Sequence, residues 1–209
     1  MSKNLGPSVA GLKHEELQFL ISEGYDVNGR DDKSNTALCN ASFAGLFAHV
    51  KLLIEHGAKV NDRGYNGVTA LICSVMGPKD REMIVAYLIE HKANVNQLND
   101  KGYSALRFAT QYYHPLVVNR LLKAGADPNL VDYETGSTPL IQCVYSLETD
   151  DITVPKMLLE AGAVNLLDRN NITAEMIATN KGFDQIGKLI RKFDTTPLDE
   201  MDKPHGKLN

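Results

Sequence analysis

Apolar residues along this chain fall into short segments that come in pairs. After Thr36, one apolar segment runs from Leu38 to Ala44, and a second follows from Val50 to Ile54 with the three- and four-residue spacing of a helix. A comparable pair of segments follows each later occurrence of the same opening. The pattern predicts a unit of two antiparallel helices that repeats along the sequence, and therefore an all-α fold.

Two short phrases recur in a fixed phase and set the length of the unit. The first resembles Gly-Ala-x-x-Asn and ends at asparagines separated by 33, 35, 33 and 36 residues: Asn28, Asn61, Asn96, Asn129 and Asn165. The second is a hydroxyl residue followed by a small residue and usually Leu, and it begins at Thr36, Thr69, Ser104, Thr138 and Thr173. Because the two phrases keep their phase over five copies, they indicate a structural repeat.

The chemistry of both phrases suits the ends of helices. A hydroxyl side chain can accept hydrogen bonds from free amides in the first helical turn, and a proline such as Pro139 is tolerated at the first helical position. Gly57, Gly125 and Gly162 stand where the second helix of a unit ends and where a left-handed residue is favourable. Lys92 takes that place in one unit, so we expect local strain or a different cap there.

With a unit of about 33 residues made of one turn and two helices, the chain resembles ankyrin repeat proteins. The resemblance covers approximately residues 15–193, and Thr138-Pro139-Leu140 is close to the family consensus. It implies an all-α ankyrin repeat solenoid of helix-turn-helix units joined by β-hairpin-like turns, with capping half-repeats at both ends. The predicted divisions are an N-terminal segment 1–12, a cap 13–30, repeats 31–63, 64–98, 99–131 and 132–167, a C-terminal cap 168–193, and a tail 194–209.

Local irregularities predict loops, a disordered tail and a buried layer. The extra residues Met76 to Asp80 and Ser146 to Asp151 predict longer loops between the paired helices of alternate repeats. The tail 194–209 has two prolines, many charges and no apolar period, which predicts disorder. In the outer helices, Leu53 and Leu122 are expected to be buried between neighbouring repeats.

Composition argues against several classes of partner. A net charge of -4 and a pI near 5.9 leave no excess of Lys and Arg to neutralise phosphates, so no nucleic-acid partner is expected. No signal sequence or long apolar run is apparent, so we expect no membrane partner and a cytoplasmic location, or the host cytosol for a secreted microbial effector. Cys39, Cys73 and Cys143 are odd in number and widely separated, and we interpret them as reduced core thiols.

The sequence offers no motif for catalysis or for a cofactor. It contains neither a zinc-protease motif nor a phosphate-binding glycine loop with lysine, and it lacks a nucleophile elbow. His56 and His91 occupy equivalent positions near the ends of outer helices, where the helix dipole already accounts for them. We therefore predict no catalytic residue, no metal and no cofactor.

Six of the eight tyrosines fall on the turns or near the ends of first helices. In the proteins that this chain resembles, these elements line a concave partner-binding face, and tyrosine is favoured at interface hot spots. Some rings, Tyr112 especially, could equally pack between repeats, and the charged residues could form a solvated edge. The predicted partner-binding residues are Asp32, Lys33, Asn35, Tyr65, Asn66, Asp100, Lys101, Tyr103, Arg107, Gln111, Tyr112, Tyr113, Tyr133, Glu134, Tyr145 and Arg169.

The favoured hypothesis is a protein-protein interaction module, an adaptor, inhibitor or effector, that is monomeric when free and binds another protein. One alternative is an enzyme or small-ligand binder with a site grafted on the solenoid. Another is a structural subunit of a homo-oligomer. The fold alone does not choose between these functions, because function depends on the particular surface.

Overall fold

The computed structural model describes residues 4–5, 9–76 and 81–194, which form a stack of paired helices. Within these residues no strand is longer than an isolated bridge, so the predicted all-α class is confirmed. Two short 3-10 helices, Val9–Gly11 and Tyr65–Gly67, accompany the α-helices. The α-helices are α1 His14–Ser22, α2 Ala37–Ala44, α3 Phe47–Glu55, α4 Ala70–Val75, α5 Glu82–Glu90, α6 Ala105–Gln111, α7 Pro115–Lys123, α8 Pro139–Ser146, α9 Thr153–Glu160, α10 Ala174–Lys181 and α11 Asp184–Phe193.

The helices form two layers. The even-numbered helices α2 to α10 contact one another in sequence and form an inner layer, while the odd-numbered helices α1 to α11 form an outer layer in the same way. Each inner helix also packs against the outer helix that follows it. This arrangement, in which each unit contacts its neighbours in the stack, is a solenoid.

Every inner helix begins at the hydroxyl residue that the sequence singles out. The side-chain oxygens of Thr36, Thr69, Ser104, Thr138 and Thr173 each accept a hydrogen bond from the backbone N–H three residues later, at 3.1 to 3.3 Å. These five residues are all at least 95% buried. Losing such a cap costs about 1 kcal/mol, so the predicted caps fix where each inner helix starts.

The outer helices α3, α7 and α9 are followed by left-handed glycines, as predicted. Gly57, Gly125 and Gly162 have φ angles of 86°, 86° and 91°. Lys92 stands at the same position with φ of 66°, a conformation that costs a residue with a Cβ atom more than it costs glycine. Of the two outcomes expected at the end of α5, local strain or a different cap, the structure shows the strain, because Lys92 takes the conformation and the capping bonds that glycine has in the other units.

Four of the five phrase-ending asparagines join a unit to the next one. Asn28, Asn61, Asn96 and Asn129 each donate through Nδ2 to the carbonyl at the end of the next outer helix, at 2.8 to 3.1 Å. Their Oδ1 atoms accept from a backbone N–H two residues beyond that carbonyl, at 2.7 to 2.9 Å. We call these paired bonds the asparagine bridges. They fix the separation of successive units. Because their partners are backbone groups, the bonds do not depend on which side chains the partner residues carry.

The core runs between the two layers and extends further towards the N-terminus than the predicted cap. Leu5 and Val9 are 1% and 0% exposed, and the 3-10 helix Val9–Gly11 packs against α2 in the place of an inner helix. In the outer layer Leu53 is fully buried, but Leu122 is only half-buried, so the prediction for Leu122 is wrong. The residue equivalent to Leu53, four positions before the terminal glycine, is the fully buried Leu121.

The loop between α8 and α9 is hydrogen-bonded to two other elements of the stack. Asp150 accepts hydrogen bonds from the backbone N–H groups of Gln185 and Ile186 at 2.7 and 2.9 Å, in the first turn of α11. Asp151 accepts one from the Tyr113 hydroxyl. The predicted long loop at Met76 to Asp80 and the predicted disordered tail lie largely outside the described residues, which include only Met76 and Asp194 of these two segments.

Candidate functional site

The turns that precede the inner helices are fixed by their own side chains. Asp31, Asn99, Asp132 and Asp168 each accept, through Oδ1, two backbone N–H groups of the same turn at 2.6 to 3.0 Å. The equivalent position in the second unit is Gly64, and there Asn35 Oδ1 of the preceding turn accepts from Tyr65 N at 3.1 Å. Such Asx-type turns hold the residues at their tips in defined positions.

Adjacent turns are also hydrogen-bonded to one another. Asp100 N donates to Asn66 O at 3.0 Å, and Tyr133 N donates to Lys101 O at 2.9 Å. Arg63 reaches across to Asp100 with an Nη2 to Oδ1 distance of 2.6 Å. The turns therefore form a continuous ridge beside the inner helices, and we call the ridge together with the exposed side of the inner helices the concave face.

A cleft of about 740 Å³ opens on the concave face across the first three turns and the helices α2, α4 and α6. Cys39, Val68, Cys73 and Phe108 line it and are at least 91% buried, so they form its floor. The larger apolar side chains around them are Phe43, Tyr65, Met76 and Tyr103, and the polar residues that line the cleft include Asp31, Asn40 and Asn99. The predicted residues that line the cleft are Asp32, Lys33, Asn35, Tyr65, Asn66, Lys101 and Tyr103.

Sequence reasoning missed Phe43, which is 54% exposed at the edge of the cleft. Its position carries a signal that could have found it. Phe43 stands seven residues after the hydroxyl cap Thr36, as Tyr145 does after Thr138. Side chains at equivalent positions of a repeat point in the same direction. The spacing that identifies Tyr145 as a candidate binding residue therefore also identifies Phe43 and Met76.

Arg107 connects two inner helices beside the cleft. Its Nη1 donates to Gln111 Oε1 and its Nη2 to Gln142 Oε1, both at 3.1 Å, and Gln142 belongs to α8. The guanidinium carbon lies 3.8 Å from the centroid of the Tyr103 ring. Burial lowers the pKa of Arg107, while the neighbouring Tyr103 and Asp132 oppose that shift. Three predicted residues, Tyr103, Arg107 and Gln111, are thus brought together in one half-buried cluster.

The remaining predicted tyrosines occupy different environments. Tyr133 and Tyr145 are 55% and 67% exposed, and Lys181 Nζ lies 5.8 Å from the Tyr145 ring centroid. Tyr112 is 38% exposed and stacks on Phe108 with the ring centroids 6.5 Å apart. Tyr113 is half-buried, and its hydroxyl donates to Asp151. Burial together with this bond raises the pKa of Tyr113 to about 12, so the ring is already engaged between two units.

The last predicted residues lie on the turns and are exposed. Arg169 donates to Glu134 O at 3.4 Å, and its backbone N–H donates to Thr135 O at 2.8 Å. Asp100 is paired with Arg63 as described above. Across residues 4–5, 9–76 and 81–194, no three His, Cys, Asp or Glu side chains lie close enough to hold a metal ion. In the same residues, no helix combines the length and hydrophobicity that crossing a bilayer requires.

Comparison with known proteins agrees with this architecture. A family model described as ankyrin repeats in three copies matches residues 9–99 and 64–132, more than half of the chain. A putative ankyrin repeat protein of fowlpox virus (strain NVSL), FPV031, is 29% identical over 179 residues, which are 84% of this chain and 50% of the viral protein. The chain therefore spans about half the length of that relative.

Two bacterial proteins match over most of their length. The putative ankyrin repeat protein YahD of Escherichia coli (strain K12) is 26% identical over 84% of this chain and 88% of its own. A crystal structure of an ankyrin repeat domain from Acinetobacter baumannii AYE superposes with a TM-score of 0.78 at 26% identity, covering 89% of this chain and 95% of that one. The fold is that of a helical repeat protein. Within that class, the chain belongs to the ankyrin repeat family.

Proposed function

We propose that this protein binds a segment of a partner protein in the cleft of its concave face. Ankyrin repeats generally mediate protein-protein interactions. The observation that carries the proposal is the cleft itself, in which aromatic side chains surround an apolar floor and hydrogen-bonded turns hold the rim. Interfaces concentrate their binding energy in such aromatic anchors.

The exposed aromatic residues favour a macromolecular partner over a small ligand. Tyr65 and Phe43 at the cleft are 57% and 54% exposed, and Tyr133 and Tyr145 continue the same face beyond it. Exposed aromatic rings that extend past one cavity are typical of a surface that a protein covers. The volume of the cleft is also within the range of about 300 to 1,000 Å³ found for small-ligand pockets, so a small ligand is the second candidate.

The charged rim is expected to act on the rate of association rather than on the strength of the complex. Asp32, Lys33 and Lys101 are exposed at the cleft and carry charges of both signs. Exposed charges mainly steer the encounter of two proteins, and salt screens them. We propose that the protein is a monomer when free and that its action as adaptor, inhibitor or effector follows from occupying its partner, without catalysis.

The test compares aromatic residues inside and outside the cleft. The partner is first captured from the native cell and purified, and its affinity is then measured by titration against single variants. Phe43→Ala, Tyr65→Ala and Tyr103→Ala should each weaken binding by about 1 to 3 kcal/mol, because anchors of this kind dominate interfaces. The matched control is Phe19→Ala, which removes an equally exposed ring (61%) from α1 in the outer layer.

Further outcomes separate the alternatives. Tyr145→Ala should weaken binding if the partner extends along the whole face. If the cleft variants fold, as judged by circular dichroism, and still bind as tightly as the parent, the cleft is not the site. A small molecule that co-purifies with the protein and is lost from Phe43→Ala and Tyr65→Ala would instead favour the small-ligand candidate.

A further inference from the structure

Asn99, in the third turn, holds a position that is an aspartate in three other turns. Asp31, Asp132 and Asp168 are its equivalents, and in all four residues Oδ1 accepts two backbone N–H groups of the turn. For Asn99 these two bonds are 3.0 and 2.9 Å long. The turn therefore uses one oxygen of the side chain, and at Asn99 the remaining terminal atom is Nδ2, a hydrogen-bond donor.

The first turn shows how the remaining atom of such a side chain can be engaged. Asp31 Oδ2 accepts from Asn40 Nδ2 at 3.0 Å and from Asn35 Nδ2 at 3.4 Å. Asn35 directly precedes the cap Thr36, and Asn40 follows it by four residues. Two polar side chains of the same unit therefore satisfy the atom that the turn leaves over.

In the third turn, aromatic rings occupy those two positions. Tyr103 directly precedes the cap Ser104, Phe108 follows it by four residues, and the two rings pack edge to face with their centroids 5.6 Å apart. In the described part of the chain Asn99 Nδ2 meets no acceptor, although Asn99 is only 6% exposed. This nitrogen is not sealed off from solvent, and Asn99 lines the cleft. The cleft thus contains a fixed and unpartnered donor beside an aromatic pair.

The charges of the cleft indicate which acceptor this donor suits. Among the described residues, the charged side chains that line the cleft are two of each sign, Asp31, Asp32, Lys33 and Lys101. They balance, and the floor is apolar. A carboxylate buried there would be costly without a cation bonded to it, whereas a neutral carbonyl needs only one donor. The acceptor that fits Asn99 is therefore an uncharged amide carbonyl.

We propose that Asn99 is a specificity-determining residue of the cleft, whose Nδ2 donates to an amide carbonyl of the bound protein segment. An apolar side chain of that segment packs on Tyr103 and Phe108 next to the bonded carbonyl. This inference rests on the proposed function and adds the chemistry of the ligand, an uncharged segment with a large apolar residue. A segment that places no acceptor at Asn99 leaves the donor unpaired and binds more weakly.

The experiment selects peptides from a phage-displayed random library on the full chain and titrates the synthesised binders. Asn99→Asp is the test variant, because it keeps Oδ1 for the turn, as the equivalent aspartates do, and replaces the donor with an acceptor. The affinity should fall at least about tenfold, since the carbonyl of the peptide loses its partner and faces a carboxylate. Circular dichroism and urea denaturation establish that the variant is folded.

Asp168→Asn is the matched control. It makes the reverse exchange in an equivalent turn that does not line the cleft, so the affinity should equal that of the parent.

A second set of titrations locates the acceptor on the peptide. An alkene isostere in place of one peptide bond removes its carbonyl. At the position that faces Asn99, this change should cost the parent protein about tenfold in affinity and the Asn99→Asp variant much less, which is the coupling expected of two groups in contact. If alanine in place of an Asn or Gln of the peptide shows this coupling instead, the bonded carbonyl belongs to a side chain.

The outcomes separate this proposal from the proposed function. Peptides that lose affinity with Phe43→Ala and Tyr65→Ala but bind Asn99→Asp as tightly as the parent overturn the role of Asn99 and leave the cleft as the site. Peptides that bind all three variants as tightly as the parent contradict both. Binders that require one of their own carboxylates overturn the uncharged acceptor.

If Asn99→Asp does not fold, the NMR signal of the Asn99 side-chain amide in the parent protein decides. It should shift as peptide is added, and a signal that stays in place overturns the proposal.

Discussion

Several individual polar residues in this protein hold neighbouring units together. Tyr113 shows this clearly, because its hydroxyl donates to Asp151, which lies 38 residues further along the chain. This bond lowers the pKa of Asp151, and burial and the bond raise the pKa of Tyr113 to about 12. Both shifts mean that the bonded pair is stabilised when the carboxylate is charged and the phenol is neutral.

Tyr113→Phe should therefore lower the free energy of unfolding by about 1 kcal/mol at neutral pH, measured by urea denaturation. The Asp151 contribution is present above the unfolded pKa of about 3.9 and is lost as the pH falls through the lower folded value. The Tyr113 contribution is lost only as the pH rises through about 12. The difference between variant and parent should accordingly shrink in acid.

Tyr112→Phe is the matched control, since the neighbouring ring stacks on Phe108 and has no described hydrogen bond through its hydroxyl. Equal losses in both variants, or a loss for Tyr113→Phe that does not change below pH 4 or so, would contradict the role assigned to the pair.

Residue identity predicts local bonds well and distant ones poorly. The caps Thr36 and Thr138 could be assigned from sequence because their acceptor role involves an amide three residues away. The Tyr113 bond could not, because it depends on the path of a loop. Leu122 was misplaced because one position along a helix turns a side chain by about 100°, enough to leave the core.

At the scale of structural elements, the asparagine bridges determine how one helix pair is placed on the next. Asn96 donates to Gly125 O at 3.0 Å and accepts from Asp127 N at 2.8 Å. Both partners are backbone groups in the turn that follows α7. Truncating the Asn96 side chain leaves both backbone groups without these hydrogen bonds, although hydrogen bonds to water can replace part of the lost stabilisation.

Asn96→Ala should thus lower the free energy of unfolding by about 1 to 3 kcal/mol, the sum of two ordinary hydrogen bonds. Chemical denaturation monitored by circular dichroism measures it. Asn170→Ala is the control, because Asn170 is an exposed turn residue with no described side-chain bond. A loss for Asn96→Ala no larger than that of the control would show that the bridges do not stabilise the stack.

The elements were the most predictable level of this protein. Repeated spacing located the inner and outer helices, the caps and the strained end of α5 at Lys92. The candidate site was less predictable, since the sequence supplied the turn residues and tyrosines but not the cleft. The floor of the cleft includes Cys39, Val68 and Cys73, whose sizes matter only once the helices are packed.

Across the whole molecule, each unit is stabilised by its neighbours in the stack, so the ends and the centre should respond differently to damage. Ile186 in α11 and Leu88 in α5 are both fully buried. Ile186 lies in the last unit that the structure describes, and among the described residues this unit packs against one other unit. Leu88 lies in a unit with neighbours on both sides.

Ile186→Ala and Leu88→Ala should each cost about 2 to 5 kcal/mol, as truncations of buried side chains do. Hydrogen exchange should show that Ile186→Ala reduces protection first in α10 and α11, whereas Leu88→Ala reduces it on both sides of α5. If Ile186→Ala lowered protection evenly from α2 to α11, the stack would behave as one cooperative unit, contrary to this expectation.

The asparagine bridges have one further consequence, for chain length. Four seams between units are made by the same pair of bonds to backbone groups, so a duplicated stretch such as 62–96 would find a matching seam at both of its ends. The number of units could then change by whole steps without redesign of a junction. The length of the concave face, and with it the size of the protein segment it can accommodate, is adjustable by insertion or deletion.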